Sequence, residues 1–199
     1  MEDPISELYS EKDFIITFKE RINSKIIEEV KEKKKKLISE LEELRLKCTL
    51  KGITFEDQLN LEYQGVIQAI SICLEENYDF DTYMTLIGIP LYCWEQISGK
   101  PHDIKGLIEF YKSEYYRKMP YNNIRAKLFA SIITNKSRVD SGDSIDITNI
   151  SSMAPYCNLI LTDRKMRNRV HALKISEDYD VKVFSLNEYK ELTEYLRSI

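Results

Sequence analysis

The chain has 199 residues, of which 31% are charged and 43% hydrophobic, and its formal net charge at pH 7 is -4. This composition is that of an ordinary soluble globular protein of one domain, or one domain with an appendage, and it excludes a disordered chain. The small negative net charge gives no general attraction to nucleic acid, so any such binding requires a local basic patch. Only 6 Gly and 5 Pro favour long helices over a β-sandwich.

The ends and the cysteines of the sequence favour the cytoplasm. Met1-Glu2-Asp3-Pro4 is polar and no apolar run of about 18 residues follows, so neither a signal peptide nor a membrane-spanning segment is expected. The four cysteines are widely spaced and form no metal-binding pattern, and we therefore predict free thiols in a reducing compartment. We expect a cytoplasmic protein that does not contact membranes.

The first clear element of the chain is an amphipathic helix. Residues 13–18 fit either a strand or the first turns of a helix. From Ser24 to Lys47 apolar residues recur at three- and four-residue steps, which indicates a helix with one buried face. Lys33 to Lys36 lie on its opposite face, where they suggest either nucleic-acid binding or a solvated surface paired with nearby glutamates. The apolar stripe consists of Ile26, Ile27, Val30, Leu37, Ile38, Leu41 and Leu44.

Four further helices are predicted before residue 135. Thr54 and Asp57 indicate the start of a helix that should pack against the first one as an antiparallel hairpin around Lys51-Gly52. Residues 81–97 are apolar on every side, as in a buried helix that Pro90 kinks or splits. Residues 103–119 form another helix, which Pro120 should end. Ile124, Leu128 and Ile132 mark the next helix, and residues 135–142 form a polar loop.

The character of the sequence changes at Asp143. The order becomes a short helix from Asp143, a strand over 157–161, a basic helix over 164–173, a strand over 181–184 and a terminal helix from Leu186. A strand, a helix and a second strand in this order predict a parallel pair. The fold class is therefore helix-rich α/β. We expect a helical region over residues 1–118 and an α/β portion over 119–199, within one compact unit.

Acidic residues are concentrated where this α/β portion should place them together. Asp143 and Asp146 lie on the short helix, and Asp163 follows the first strand directly. Carboxylates delivered to one place by a helix start and a strand end suit Mg²⁺ or Mn²⁺, which prefer oxygen ligands. Helix capping is the alternative for Asp143 and Asp163, since aspartate performs that role without a metal.

A basic run follows these carboxylates at once. Arg164, Lys165, Arg167 and Arg169 would contact the backbone of a nucleic acid, aided by the positive end of their own helix. The equally weighted alternative is a solvated helix face beside the acids of the terminal helix, Glu188, Glu191 and Glu194.

Residues 119–185 resemble the C-terminal half of a PIN-like nuclease domain. The resemblance depends on Pro120 and Ile124 before an apolar helix, on Asp143 and Asp146, and on the segments 155–158 and 161–163. It implies that Asp146 and Asp163, with Asp143 direct or through water, bind Mg²⁺ or Mn²⁺, and that Asp146 and Asp163 carry the cleavage of RNA phosphodiesters. It also implies a further strand beside 157–161, ending in an aspartate, for which this sequence shows no counterpart.

Two functions from different classes follow. The first is a metal-dependent ribonuclease of PIN-like type, or the C-terminal portion of one. The second is a non-catalytic helical interaction module that completes its sheet with a partner chain or a second copy, because a strand that lacks its neighbour presents an open edge.

Overall fold

The computed structural model describes residues 24–75 and 83–198. The chain divides into two units, residues 1–37 and 38–199, so the domain boundary predicted near residue 118 lies inside the second unit. Residues 13–18, predicted as a strand or a helix, lie outside the described residues. The fold class is confirmed: the described residues are mainly helical, with one parallel pair of strands. None of the helices in the described ranges is long and apolar enough to cross a membrane.

The first helix, α1 (Ser24–Lys51), confirms the prediction for this segment. In the first unit, Ile27, Val30 and Leu37 are exposed by 43, 58 and 41%, so the prediction that the whole apolar stripe is buried was wrong there. In the second unit, Cys48 is buried and Leu41 packs against the core of the C-terminal half.

Helix α2 (Phe55–Glu75) begins at a capping box. Thr54 Oγ1 accepts a hydrogen bond from the backbone N–H of Asp57, and Asp57 Oδ2 accepts one from the N–H of Thr54, which satisfies two donors that a helix start leaves unpaired. Gly52 turns the chain before it with a φ of +65°. The helix packs chiefly on α6 (Pro120–Ile133) rather than on α1.

The segment around Pro90 combines two kinds of helix. A π-helical turn (Met84–Gly88) leads directly into α3 (Ile89–Ser98), and the N–H of Ile89 reaches back five residues to Met84 O. Pro90 has no N–H to donate and its ring would clash with a regular helical turn before it, which accounts for the wider turn. Ile87 is buried, whereas Ile97 is 79% exposed, so the prediction of a helix buried on all sides was wrong.

Residues 103–119, predicted as one helix, form two. Helix α4 (Ile104–Lys112) ends at Ser113, whose Oγ donates to Phe110 O and accepts from the N–H of Tyr116 in α5 (Glu114–Lys118). Pro120 starts α6 instead of only ending the helix before it, because a proline at the first helical position sacrifices no hydrogen bond.

The C-terminal half contains the sheet and the larger core. Strands β1 (Leu159–Thr162) and β2 (Lys182–Ser185) pair in parallel, with Leu159 opposite Lys182, which confirms the predicted pair with a shift of one or two residues. The core beside the sheet includes the fully buried side chains of Leu128, Ile147 and Met166. The remaining elements are α7 (Asp143–Met153), α8 (Arg164–Ala172), α9 (Ile175–Asp178), a 3₁₀ turn (Leu186–Glu188) and α10 (Tyr189–Ser198).

Candidate functional site at the carboxyl ends of the strands

Asp143 is the first residue of α7 and is only 4% exposed. Its Oδ2 accepts a hydrogen bond of 2.8 Å from the backbone N–H of Asp140, and its Oδ1 lies 3.2 Å from Nη1 of Arg169 on α8. Lys165 Nζ lies 3.5 Å from Oδ2. Both carboxylate oxygens are therefore engaged within the chain, and Asp143 closes the turn before its helix rather than capping the helix N-terminus.

The basic partners of Asp143 are engaged on their other sides as well. Arg169 is only 7% exposed, so its positive charge is compensated by the ion pair with Asp143 rather than by water. Lys165 Nζ donates to Asp140 Oδ2 at 2.6 Å and to Arg138 O at 3.2 Å. The two residues thus join α8 to α7 and to the loop before it.

Asp146 lies one turn further along α7 and is half-buried. Its Oδ2 is close to Gly142, because a Cβ atom added to Gly142 would lie 3.4 Å from that oxygen. The side chain lines a cleft of about 270 Å³ beside β1 together with Asn149, Met153 and Thr162. Asp146 and Thr162, the last residue of β1, thus line the same cleft.

Asp163 follows β1 and caps α8. Its Oδ1 accepts a 2.9 Å hydrogen bond from the N–H of Met166, and the side chain is exposed. It lines an open cleft of about 460 Å³ at the carboxyl ends of both strands, with Thr162, Arg164 and Ser185. Thr162 also lines the cleft that contains Asp146, so the two clefts share this residue.

The four basic residues after Asp163 differ in their surroundings. Arg167 pairs through Nη2 with Oε1 of Glu188, and its buried Nε has no hydrogen-bond partner among the described residues. Arg164 is exposed in the cleft that contains Asp163. Among the described residues, it is the one member of the run without an ion pair to an acidic side chain.

Glu188 holds the end of β2 in place through hydrogen bonds and an ion pair. Burial opposes its charge, but its Oε2 accepts hydrogen bonds from both N–H and Oγ of Ser185, and Arg167 lies beside it. These interactions outweigh burial and lower the pKa of Glu188. Arg167 therefore stabilises the turn after β2.

The donor set does not complete a metal site within the described residues. In residues 24–75 and 83–198 no group of three or more His, Cys, Asp or Glu side chains is arranged to hold a metal ion. Asp143 is engaged by Arg169 and Lys165, and Asp146 and Asp163 line the two clefts beside β1.

The two edges of the sheet are not equivalent. The N–H of Lys182 donates to Asn158 O, so the backbone groups of Lys182 face β1. The backbone groups of Val183, the next residue, therefore point away from β1. His171 Nε2 lies 3.2 Å from Val183 O, and His171 Nδ1 lies 3.0 Å from Ser176 Oγ. The histidine thereby covers the outer edge of β2, a role that nothing in the sequence pattern indicates.

The outer edge of β1 has no such cover among the described residues. By the same alternation, Leu159 and Leu161 direct their N–H and C=O groups away from β2, and no hydrogen bond of the described residues engages them. The side chain of Leu161 is 53% exposed. β1 therefore presents an open, apolar edge next to Asp146 and Asp163.

The loop that leads into α7 is held by a pair that sequence reasoning missed. Glu42 accepts hydrogen bonds from Arg45 and from the N–H of Val139, while Arg45 Nη1 donates to the carbonyls of Asn135 and Lys136. The Arg45 guanidinium and the Val139 N–H lower the pKa of Glu42 to about 2. One signal was available: Arg45 lies on the same helical face as Leu41 and Cys48, where a charge requires a partner.

The arrangement is thus an open strand edge with two carboxylates at its end and a neighbouring buried ion pair. No protein-family model, curated protein or solved structure matches this chain.

Proposed function

We propose that this chain is a binding subunit whose β1 edge accepts an extended strand from a partner protein. The observation that carries the proposal is the contrast between the two sheet edges: His171 covers β2, whereas the backbone groups of Leu159 and Leu161 on β1 are unpaired among the described residues. A two-stranded sheet is marginally stable alone, and an added strand gives it a third member and satisfies these groups.

The surroundings of the edge specify the chemistry of the partner strand. The cleft beside β1 is lined by Met153, Cys157, Leu159 and Leu161 along its length, and by Asn149. These side chains suit an extended segment with apolar residues at alternate positions, whose backbone supplies the hydrogen bonds. The β1 sequence, Leu-Ile-Leu-Thr, contains neither a charge nor a proline that would keep such a strand away.

The proposal is tested with a synthetic peptide that repeats residues 158–163. Amide signals of Leu159 and Leu161 are followed by NMR during titration of the ¹⁵N-labelled chain. We expect both amides to exchange quickly with solvent in the free chain and to become protected when the peptide binds. The matched control is the same peptide N-methylated at alternate residues, which cannot donate to the edge.

Two variants at Leu161 separate the contribution of the backbone N–H from that of the side chain. Leu161→Pro removes one outward N–H at an edge position, where proline does not interrupt the pairing with β2, whereas Leu161→Ala retains the N–H. Loss of peptide binding in Leu161→Pro with retention in Leu161→Ala is expected. Amides of Leu159 and Leu161 that are already protected in the free chain would contradict the proposal.

A metal-dependent nuclease of PIN-like type is the second candidate. It is favoured by Asp146 and Asp163, which line two clefts that share Thr162, and by Arg164 in the same cleft as Asp163. The described carboxylates do not suffice for Mg²⁺ or Mn²⁺, so in this candidate further oxygen ligands come from the strand that binds β1. RNA is the proposed substrate, with Arg164 beside its backbone.

The second candidate is tested by cleavage of single-stranded RNA with Mn²⁺. Asp163→Asn keeps a capping residue at the start of α8, because asparagine caps helices as well as aspartate, and removes only the negative charge. We expect wild-type cleavage to be lost in Asp163→Asn and in Asp146→Asn but retained in Asp180→Asn, an exposed control on the loop before β2. Equal cleavage by all four chains would exclude these carboxylates from the reaction.

A further inference from the structure

The helical part of the second unit contains a pocket of about 570 Å³. Its lining residues lie between Val66 and Asn122 and so precede both strands in the sequence. Its walls come from α2 to α6 and the π-helical turn, and none of the described residues that line it is charged. Aromatic rings dominate: Trp94 stacks on Phe110 with centroids 5.4 Å apart, and Tyr111 meets Tyr116 edge to face at 4.9 Å. Its size and lining are those of sites that hold small apolar ligands.

Two phenol groups in this wall form no hydrogen bond with the described residues. Tyr111 is 9% exposed, and no hydrogen bond of the described residues engages its hydroxyl or that of Tyr116. Neither phenol oxygen is among the buried unpartnered atoms of the described part of the chain, so both oxygens remain accessible. The two hydroxyls are therefore available to a molecule inside the pocket.

The pKa values of the two phenol groups determine which hydrogen bonds they can form. Burial raises the pKa of Tyr111 to about 12, and the nearby Tyr116 hydroxyl and Cys93 thiol act in the same direction. Burial also raises the pKa of Tyr116. Both phenols thus stay protonated at neutral pH and can donate a hydrogen bond to an acceptor.

We propose that this pocket binds a small, uncharged, flat aromatic molecule whose carbonyl oxygen accepts hydrogen bonds from the hydroxyl groups of Tyr111 and Tyr116. Because none of the described lining residues is charged, an ionic ligand is disfavoured, since its desolvation would go uncompensated there. The stacked pair of Trp94 and Phe110 provides ring surface for the aromatic part. The pocket is formed by α-helical residues and does not depend on the proposed use of β1.

The probe for the test is the neutral naphthalene ketone Prodan, whose fluorescence reports an apolar environment. We expect saturable binding to the full chain, with an affinity about threefold to tenfold lower in Tyr111→Phe, because that variant keeps the ring and loses one hydrogen bond. The matched control is Tyr115→Phe, since Tyr115 is 78% exposed and does not line the pocket. Naphthalene, which lacks the carbonyl, should bind the wild type and Tyr111→Phe equally.

The exposed thiol of Cys93 gives a second readout at the pocket wall. In a Cys157→Ser background, Prodan should slow alkylation of Cys93 by iodoacetamide, and prior modification of Cys93 with N-ethylmaleimide should abolish Prodan binding. Absence of saturable binding, or binding that neither Tyr111→Phe nor the modification changes, would overturn the proposal.

Discussion

Asp143 and Arg169 form an ion pair in which the two side chains are only 5 and 6% exposed, with Oδ1 and Nη1 3.2 Å apart. The pair joins the first residue of α7 to the middle of α8, and so fixes the helix that carries Asp146 against the helix that Asp163 caps. Two residues predicted to bind a metal and a nucleic acid thereby neutralise each other. Their present role is to hold the two helices in place.

Breaking this pair should lower stability substantially. Asp143→Asn leaves the charge of Arg169 buried without an anion, and we expect the free energy of unfolding to fall by about 3 kcal/mol at pH 7, measured by urea denaturation. The control is Asp178→Asn, because the Lys127–Asp178 pair is more exposed and should contribute less than about 1 kcal/mol. Equal, small losses in both variants would show that the pair is not required for stability.

The Glu42–Arg45 pair should make the stability of the fold depend on pH in the acidic range. The pKa of Glu42 is lowered from 4.5 to about 2 in the folded chain, so its contribution is complete above pH 4.5 and is lost as the pH falls toward 2. Glu42→Gln should therefore lower the urea midpoint at pH 7 and flatten its fall between pH 4.5 and 2. Glu43→Gln, which removes an exposed pair with Lys47, should change both quantities less.

The cap of α8 can be separated from any chemistry of Asp163. Asp163→Ala removes the acceptor for the N–H of Met166 and should lower the free energy of unfolding by about 1 kcal/mol, whereas Asp163→Asn should be close to neutral. Thermal denaturation of the three chains measures the difference. A loss in Asp163→Asn as large as in Asp163→Ala would mean that the charge, rather than the cap, stabilises the fold.

His171 should adopt a single tautomer. Because Val183 O can only accept, Nε2 must carry the proton, and Nδ1 then accepts from Ser176 Oγ. Long-range ¹⁵N–¹H NMR spectra at a pH where the ring is neutral should show Nε2–H alone. In Ser176→Ala the hydrogen bond to Nδ1 is lost while Nε2–H still faces Val183 O, so the tautomer should persist. A mixture of tautomers in the wild type would contradict the proposed cover of the β2 edge.

Local patterns predicted the elements whose causes are local. The capping box of Thr54 and Asp57 and the apolar spacing of Ile124, Leu128 and Ile132 involve residues within one or two helical turns, and all appear as expected. The strands were found because apolar residues followed by Thr162-Asp163 mark a strand end. The break at Ser113 was missed, although serine can both end one helix and cap the next.

Contacts between distant segments were beyond the reach of such patterns. The engagement of Asp143 by Arg169 depends on how α8 docks on α7, and the contact between His171 and Val183 depends on how α8 meets β2. Neither follows from spacing along the chain. The exposure of Val30 and Leu37 was missed for the same reason, since periodicity identifies an apolar face without identifying what covers it.

The unequal edges of the sheet also limit the size of any assembly that forms through strand pairing. With the β2 side closed by His171 and the β1 side open in the described part of the chain, each molecule offers a single pairing surface. If two copies met through it, both surfaces would be consumed and a third copy would find none. Growth would then stop at a pair, whereas a sheet open on both sides could extend into a fibre.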